Sequence, residues 1–182
     1  MALSQKAWVA AGLVARLLMI AVLAMSVQLR YSNHTRFDYS DRHNYQQLQS
    51  YTYAVAAALI GLAASALQVP ASVYLLCKSK RTTPSLLVLD ATMYADVVVT
   101  ALLASGVGAG FGATNDALQF IKYGVDWNKT ENADQLRDDL TAFLHRGSVA
   151  IVFLLIGMLL SLLATVVSTR LRARATDDLA DD

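Results

Sequence analysis

The stretch Leu86 to Phe111, LLVLDATMYADVVVTALLASGVGAGF, decides how the chain is read, because it is long enough to span a bilayer and yet carries two carboxylates, Asp90 and Asp96. An ionised Asp at the centre of a spanning helix costs roughly 2.5–3.5 kcal/mol on insertion scales, so such a residue faces a partner, a bundle interior or a wet cavity. Arg16 is the only basic residue inside any of the other long apolar runs. It is the natural partner, and the pairing implies a helical bundle in which the first and third spans meet.

Composition points the same way. Of 182 residues, 55% are hydrophobic and only 16% are charged, too apolar a balance for a soluble domain of this size. The formal net charge of +1 advertises no basic face, and nucleic acid is not an expected partner. A single cysteine, Cys77, excludes an internal disulfide, a cysteine-rich metal site and a thiol oxidoreductase built on a Cys pair.

Three more apolar runs join 86–111 as spans, over roughly 7–28, 53–76 and 148–168. About 20 residues rising 1.5 Å each cover a hydrocarbon core of ~30 Å. The fold class expected is therefore all-α: a four-helix transmembrane bundle with two extracellular loops, forming a single membrane domain over residues 1–182 with a short charged cytoplasmic tail at 170–182. A rival reading makes Lys6 and Arg16 the basic region of a signal peptide cleaved after Ala24-Met25-Ser26, but WVAAGLVA is too apolar for that role. Pro70 is expected to kink the second span. The second loop, from Gly112 to about Arg146, is expected to be partly helical: Asn132 suits an N-cap with Gln135 three residues on, and Leu136, Leu140, Phe143 and Leu144 fall on one helical stripe.

Four spans place both termini on one side, and basic residues decide which. Lys6, Lys78, Lys80, Arg81, Arg170, Arg172 and Arg174 crowd against span ends on the side of the termini, whereas the other seven outside the spans are diluted through two long loops with many acids. The termini are read as cytoplasmic. The two Asn-x-Ser/Thr sequons agree, since the N-glycosylation candidates Asn33 and Asn128 fall one in each outer loop.

Among the candidate site residues, Arg16 and Asp90 form the expected intramembrane ion pair, a structural one. Both their helices enter from the same side, side chains lean toward helix N-termini, and Gly12 leaves the guanidinium room to snorkel. Asp96 lies six residues from Asp90, about 240° round the helix, so one arginine does not serve both. Asp96 is read as a secondary polar residue that is protonated, bonded to a hydroxyl or to Gln68 in the second span, or placed in a subunit interface. Ala104, Gly108 and Gly112 recur every four residues and suit close helix packing, within the bundle or between subunits. Cys77, at the cytoplasmic end of the second span, is a palmitoylation candidate. His34 and His43 with Asp38 and Asp41 match no familiar ligand spacing, and no metal, cofactor or catalytic set is expected.

The segments LVARLLMIAVLAMSV, YTYAVAAALIGLAASALQVPASVYLL and LDATMYADVVVTALLASG together resemble the Casparian strip membrane domain protein family of plants, across all four spans. The resemblance implies a MARVEL-like architecture with cytoplasmic termini and a characteristic Arg in the first span and Asp in the third, which land on Arg16 and Asp90; Asp96 is not part of that pattern. It also implies a plasma-membrane scaffold that forms homo- and hetero-oligomers, with no enzymatic activity of its own. In the strip-forming members such a scaffold limits diffusion in the membrane and guides local lignification. Here the first outer loop lacks the short signature associated with those members and the second lacks cysteines. The expectation is thus a Casparian-strip-like organiser of a membrane patch that recruits cell-wall-modifying partners. The alternative from another class is a small transporter or channel using the intramembrane Arg and Asp; no small-molecule ligand is specified.

Overall fold

Leucine, alanine and valine fill the apolar runs with few interruptions, and in hydrocarbon such segments satisfy their backbone only as helices or as closed barrels. A computed structural model describes residues 5–32, 49–77, 86–124 and 133–180, and these are helical, with no strand among them. The helices are α1 (Gln5–Ser32), α2 (Gln49–Cys77), α3 (Leu86–Gln119) and α4 (Ala133–Ala180), with a π-helical turn at Phe120–Gly124 continuing α3. Each of the four is long and apolar enough to cross a membrane.

Neighbouring helices run antiparallel, and side-chain pairs fix their register. A Cβ on Gly12 of α1 would touch Val167 of α4, and one on Gly106 of α3 would touch Ala57 of α2 and Leu154 of α4. α1 packs on α2 and α4, α3 packs on the same two, and α1 stands diagonally across from α3. Midway along the axis Leu23, Leu103 and Leu154 are fully or almost fully buried. Leu23 fits because Gly61 and Gly157 present no side chain to it. The outer surface carries the opposite pattern, with Leu17, Leu67, Val98 and Leu163 among many large apolar residues left half or more exposed, a face suited to lipid rather than water.

The helices differ from the expected spans at their ends. The Gly-rich stretch 106–112 does not end α3, which runs on to Gln119, since backbone hydrogen bonding in a packed helix outweighs the low propensity of a few glycines. The helix expected in the second loop is not separate from the last span: α4 is one continuous helix of 48 residues, about 72 Å long and more than twice the hydrocarbon thickness. Its first turns carry the foreseen stripe, with Leu144 buried and Leu136, Leu140 and Phe143 half-buried, and Phe143 packs against the core, as do Ala117, Leu118 and Ile121. At the other end α4 continues to Ala180, so the tail expected from 170 is helical over nearly all its length. α2 passes through Pro70 without a break.

Candidate functional site

At the end of the bundle that holds both termini, four helices aim polar side chains at one point. Arg16 of α1 is 7% exposed and Asp96 of α3 is 5% exposed, and both are thereby removed from lipid and from bulk water. Arg16 Nη2 donates to Asp96 Oδ2 at 2.7 Å across the diagonal of the bundle. Arg16 Nη1 donates to Ser72 Oγ of α2 at 2.8 Å, and Nη2 also reaches Ser168 Oγ of α4 at 3.3 Å. Ser168 in turn donates to Asp96 Oδ2 at 2.6 Å. One guanidinium therefore binds all three other helices. With charges opposed and hydrogen-bonded, the pair avoids much of the penalty that either ion alone would carry in hydrocarbon.

Arg16 thus pairs with Asp96, not with Asp90 as the sequence reading expected. The reason is depth. α1 and α3 enter the membrane in parallel, Arg16 stands nine residues after the start of its apolar segment at Ala7, and Asp96 stands nine after the start of its own at Leu87, whereas Asp90 stands only three after it. Snorkelling toward Asp90 is unnecessary when a carboxylate waits at the same level. Asp90 instead meets Nε of Arg172 on α4, and Arg172 Nη1 also lies 3.9 Å from Met93 Sδ. That pair is peripheral, with side chains 33% and 40% exposed.

The hydroxyl expected beside Asp96 is Ser168; Gln68 is buried at 8% exposure and contributes its backbone carbonyl to Ser72, not its side chain to Asp96. Ser168 belongs to a stripe that the sequence reading passed over, Ser161, Thr165, Ser168 and Arg172, at spacings that share one helix face. Thr100 of α3 bonds to Ser161 at 2.7 Å and to Thr165 at 3.3 Å, continuing the polar seam between α3 and α4. The seam stops at the leucine layer.

Beyond that layer a second cluster holds the far end together. Tyr51, 2% exposed, donates to Thr114 Oγ1 at 2.5 Å, the Thr114 proton being engaged by the carbonyl of Gly110. The Arg30 guanidinium lies 4.2 Å from the centroid of the Tyr51 ring and 5.4 Å from that of Phe143, and Ser26 donates to the carbonyl of Ala150. Neither cluster was read from the sequence beyond Arg16 and Asp96.

The helix-packing residues separate into two faces. Gly106 and Gly110 point inward, against Ala57 and Ile151. Ala104, Gly108 and Gly112 are exposed on the outside of α3, and no atom lies within 4 Å of where a Cβ would stand on Gly108 or Gly112, so packing within the bundle does not explain them. Asn33 and Asn128, together with His34, His43, Asp38 and Asp41, lie outside the described residues; Cys77 closes α2, and its side chain lies outside the description. Among the described residues no group of three or more His, Cys, Asp or Glu is placed to hold a metal.

This geometry, a four-span bundle bound together by an arginine and an aspartate on its diagonal, is accompanied by a match to the Casparian strip membrane protein domain over residues 5–160. The chain belongs to that family. The matched residues of this Casparian strip membrane protein domain include Arg16, Ser72 and both aspartates, while Ser161, Ser168 and Arg172 follow the matched segment. The chain is also similar to CASP-like protein 4D1 of Sorghum bicolor, 29% identical over 154 residues that make up 77% of this chain and 79% of the relative. No solved structure matches it.

Proposed function

We propose that this multi-pass CASP-like protein is a non-enzymatic scaffold of the plasma membrane, with both termini cytoplasmic, that assembles with its own copies and with related family members, organises a membrane patch and recruits cell-wall-modifying partners. The observation that carries this reading is the outward ridge of Ala104, Gly108 and Gly112, which lets the backbone of another helix come close. The buried Arg and Asp are engaged with one another inside the chain, which supports a structural role for them. Against a conducting path stands the layer of Leu23, Leu103 and Leu154, buried to 1% exposure or less, between the two polar clusters. The orientation rests on the crowding of basic residues at span ends and on the sequons at Asn33 and Asn128, whose occupancy a glycosidase-sensitive mass shift would register.

The test is Gly108→Leu in the full chain, reconstituted in bilayers and scored for self-association by energy transfer between labelled copies. A Cβ on Gly108 meets nothing within 4 Å and the position is exposed, so folding should be retained while association falls severalfold. Association that stays at the level of the unmodified chain would remove this ridge from the interface.

A further inference from the structure

Between all four helices, at the end that holds the termini, lies a cavity of about 40 Å³ lined by Val9 and Arg16 of α1, Ser72 of α2, Thr92 of α3, and Ser168 and Leu171 of α4. Its polar wall has an unusual inventory. Arg16 Nε is buried and has no acceptor among the described residues, and of the two protons on Nη1 one is used on Ser72. Each hydroxyl has already committed its single proton: Ser72 to the carbonyl of Gln68, Thr92 to the carbonyl of Leu89, and Ser168 to Asp96. The arginine therefore offers donors, and the hydroxyls offer only lone pairs.

That combination selects the occupant. An anion would satisfy the guanidinium but would face the hydroxyl lone pairs of Ser72, Thr92 and Ser168, and a cation would face the arginine. A small molecule that accepts and donates at once fits both walls. We infer that the cavity is a built water site, in which water accepts from Arg16 Nε and donates to the free lone pairs of Ser72, Thr92 or Ser168, so that the Arg16–Asp96 pair is hydrated from the terminal end of the bundle. The volume accommodates about two or three such molecules, and Arg16, Ser72, Thr92 and Ser168 supply polar groups of the kind a buried water requires. The hydration is one-sided, because Leu23, Leu103 and Leu154 close the axis beyond the Thr100–Ser161 contact. Water at this depth also supplies what the ion pair lacks in hydrocarbon, a polarisable neighbour for the donor that no group among the described residues satisfies.

The test uses the full chain, uniformly labelled with ¹³C and ¹⁵N and reconstituted in lipid bilayers, with magnetisation transferred from water to individual sites in solid-state NMR. The Arg16 Nε proton, assigned through its link to Ala15, should take up water magnetisation severalfold faster than the methyls of Leu103. Uptake no faster than that of Leu103 would overturn the inference, as would an Arg16 Nε resonance that moves when chloride is exchanged for inorganic phosphate, which marks an anion in the site. Ala71 also lines the cavity, and Ala71→Leu should fill it and slow the transfer; a folded variant with unchanged transfer would equally contradict the proposed site. If that variant does not fold, the comparison of Arg16 with Leu103 in the unmodified chain decides.

Discussion

Leu23 of α1 lies so close to α4 that a Cβ on Gly157 would stand 2.6 Å from its Cδ2 and 3.1 Å from its Cγ. Leu23 is wholly buried, and on its other side a Cβ on Gly61 would meet it at 3.1 Å, so its side chain has little freedom to withdraw. Gly157→Ala should therefore destabilise the bundle by about 1–3 kcal/mol, the usual cost of overpacking a filled core. Gly108→Ala, with open space around it, should be neutral or slightly stabilising through helix propensity. Thermal unfolding of both variants in detergent separates the two cases, and equal behaviour would contradict the packing described.

The far cluster predicts an order of effects at Tyr51. Tyr51→Phe removes the hydrogen bond to Thr114 and keeps a ring beside Arg30, a loss of about 0.6 kcal/mol for an average hydrogen bond inside a membrane protein. Tyr51→Leu also removes the cation–π contact, worth about 0.5–2 kcal/mol. Unfolding midpoints should fall in the order unmodified chain, Tyr51→Phe, Tyr51→Leu. Equal midpoints for the two variants would mean that Arg30 gains nothing from the ring.

At the periphery, Asp90 and Arg172 should contribute little. Both side chains are a third or more exposed, and ion pairs with that exposure are worth about 0–1 kcal/mol and weaken with salt. Asp90→Asn should lower stability by no more than this, with the difference vanishing in high salt. A loss of several kcal/mol that salt leaves untouched would show that the pair is sealed from solvent.

The spans, their number and the amphipathic stripe at Leu136, Leu140, Phe143 and Leu144 were legible in the sequence because hydrophobic length and helical spacing report directly on burial. Which carboxylate meets Arg16 was also available there, in the equal depth of Arg16 and Asp96, but the snorkelling argument and the family pattern both favoured Asp90. Span ends were less legible, since apolar runs stop where the membrane stops while the helices of α3 and α4 continue through polar residues. Ser72 and Ser168 were hidden for a different reason. A serine inside an apolar run has no sequence mark to distinguish a ligand of arginine from one bonded to its own backbone, as Ser65 is to Gly61, and only the register of four helices makes that choice.

The most direct measurement of the Arg16–Asp96 clamp is a double-mutant cycle read by thermal stability in detergent and by surface delivery. Arg16→Leu and Asp96→Leu should each be strongly destabilising, because a buried charge left alone costs about 3–5 kcal/mol in soluble proteins, softened here by water near the site and by protonation of a lone carboxyl. The double variant should recover part of that loss, giving a coupling above about 1 kcal/mol, whereas Arg16→Leu combined with Asp90→Leu should be additive. Additive effects for Arg16 and Asp96, or coupling of Arg16 to Asp90 instead, would contradict the account.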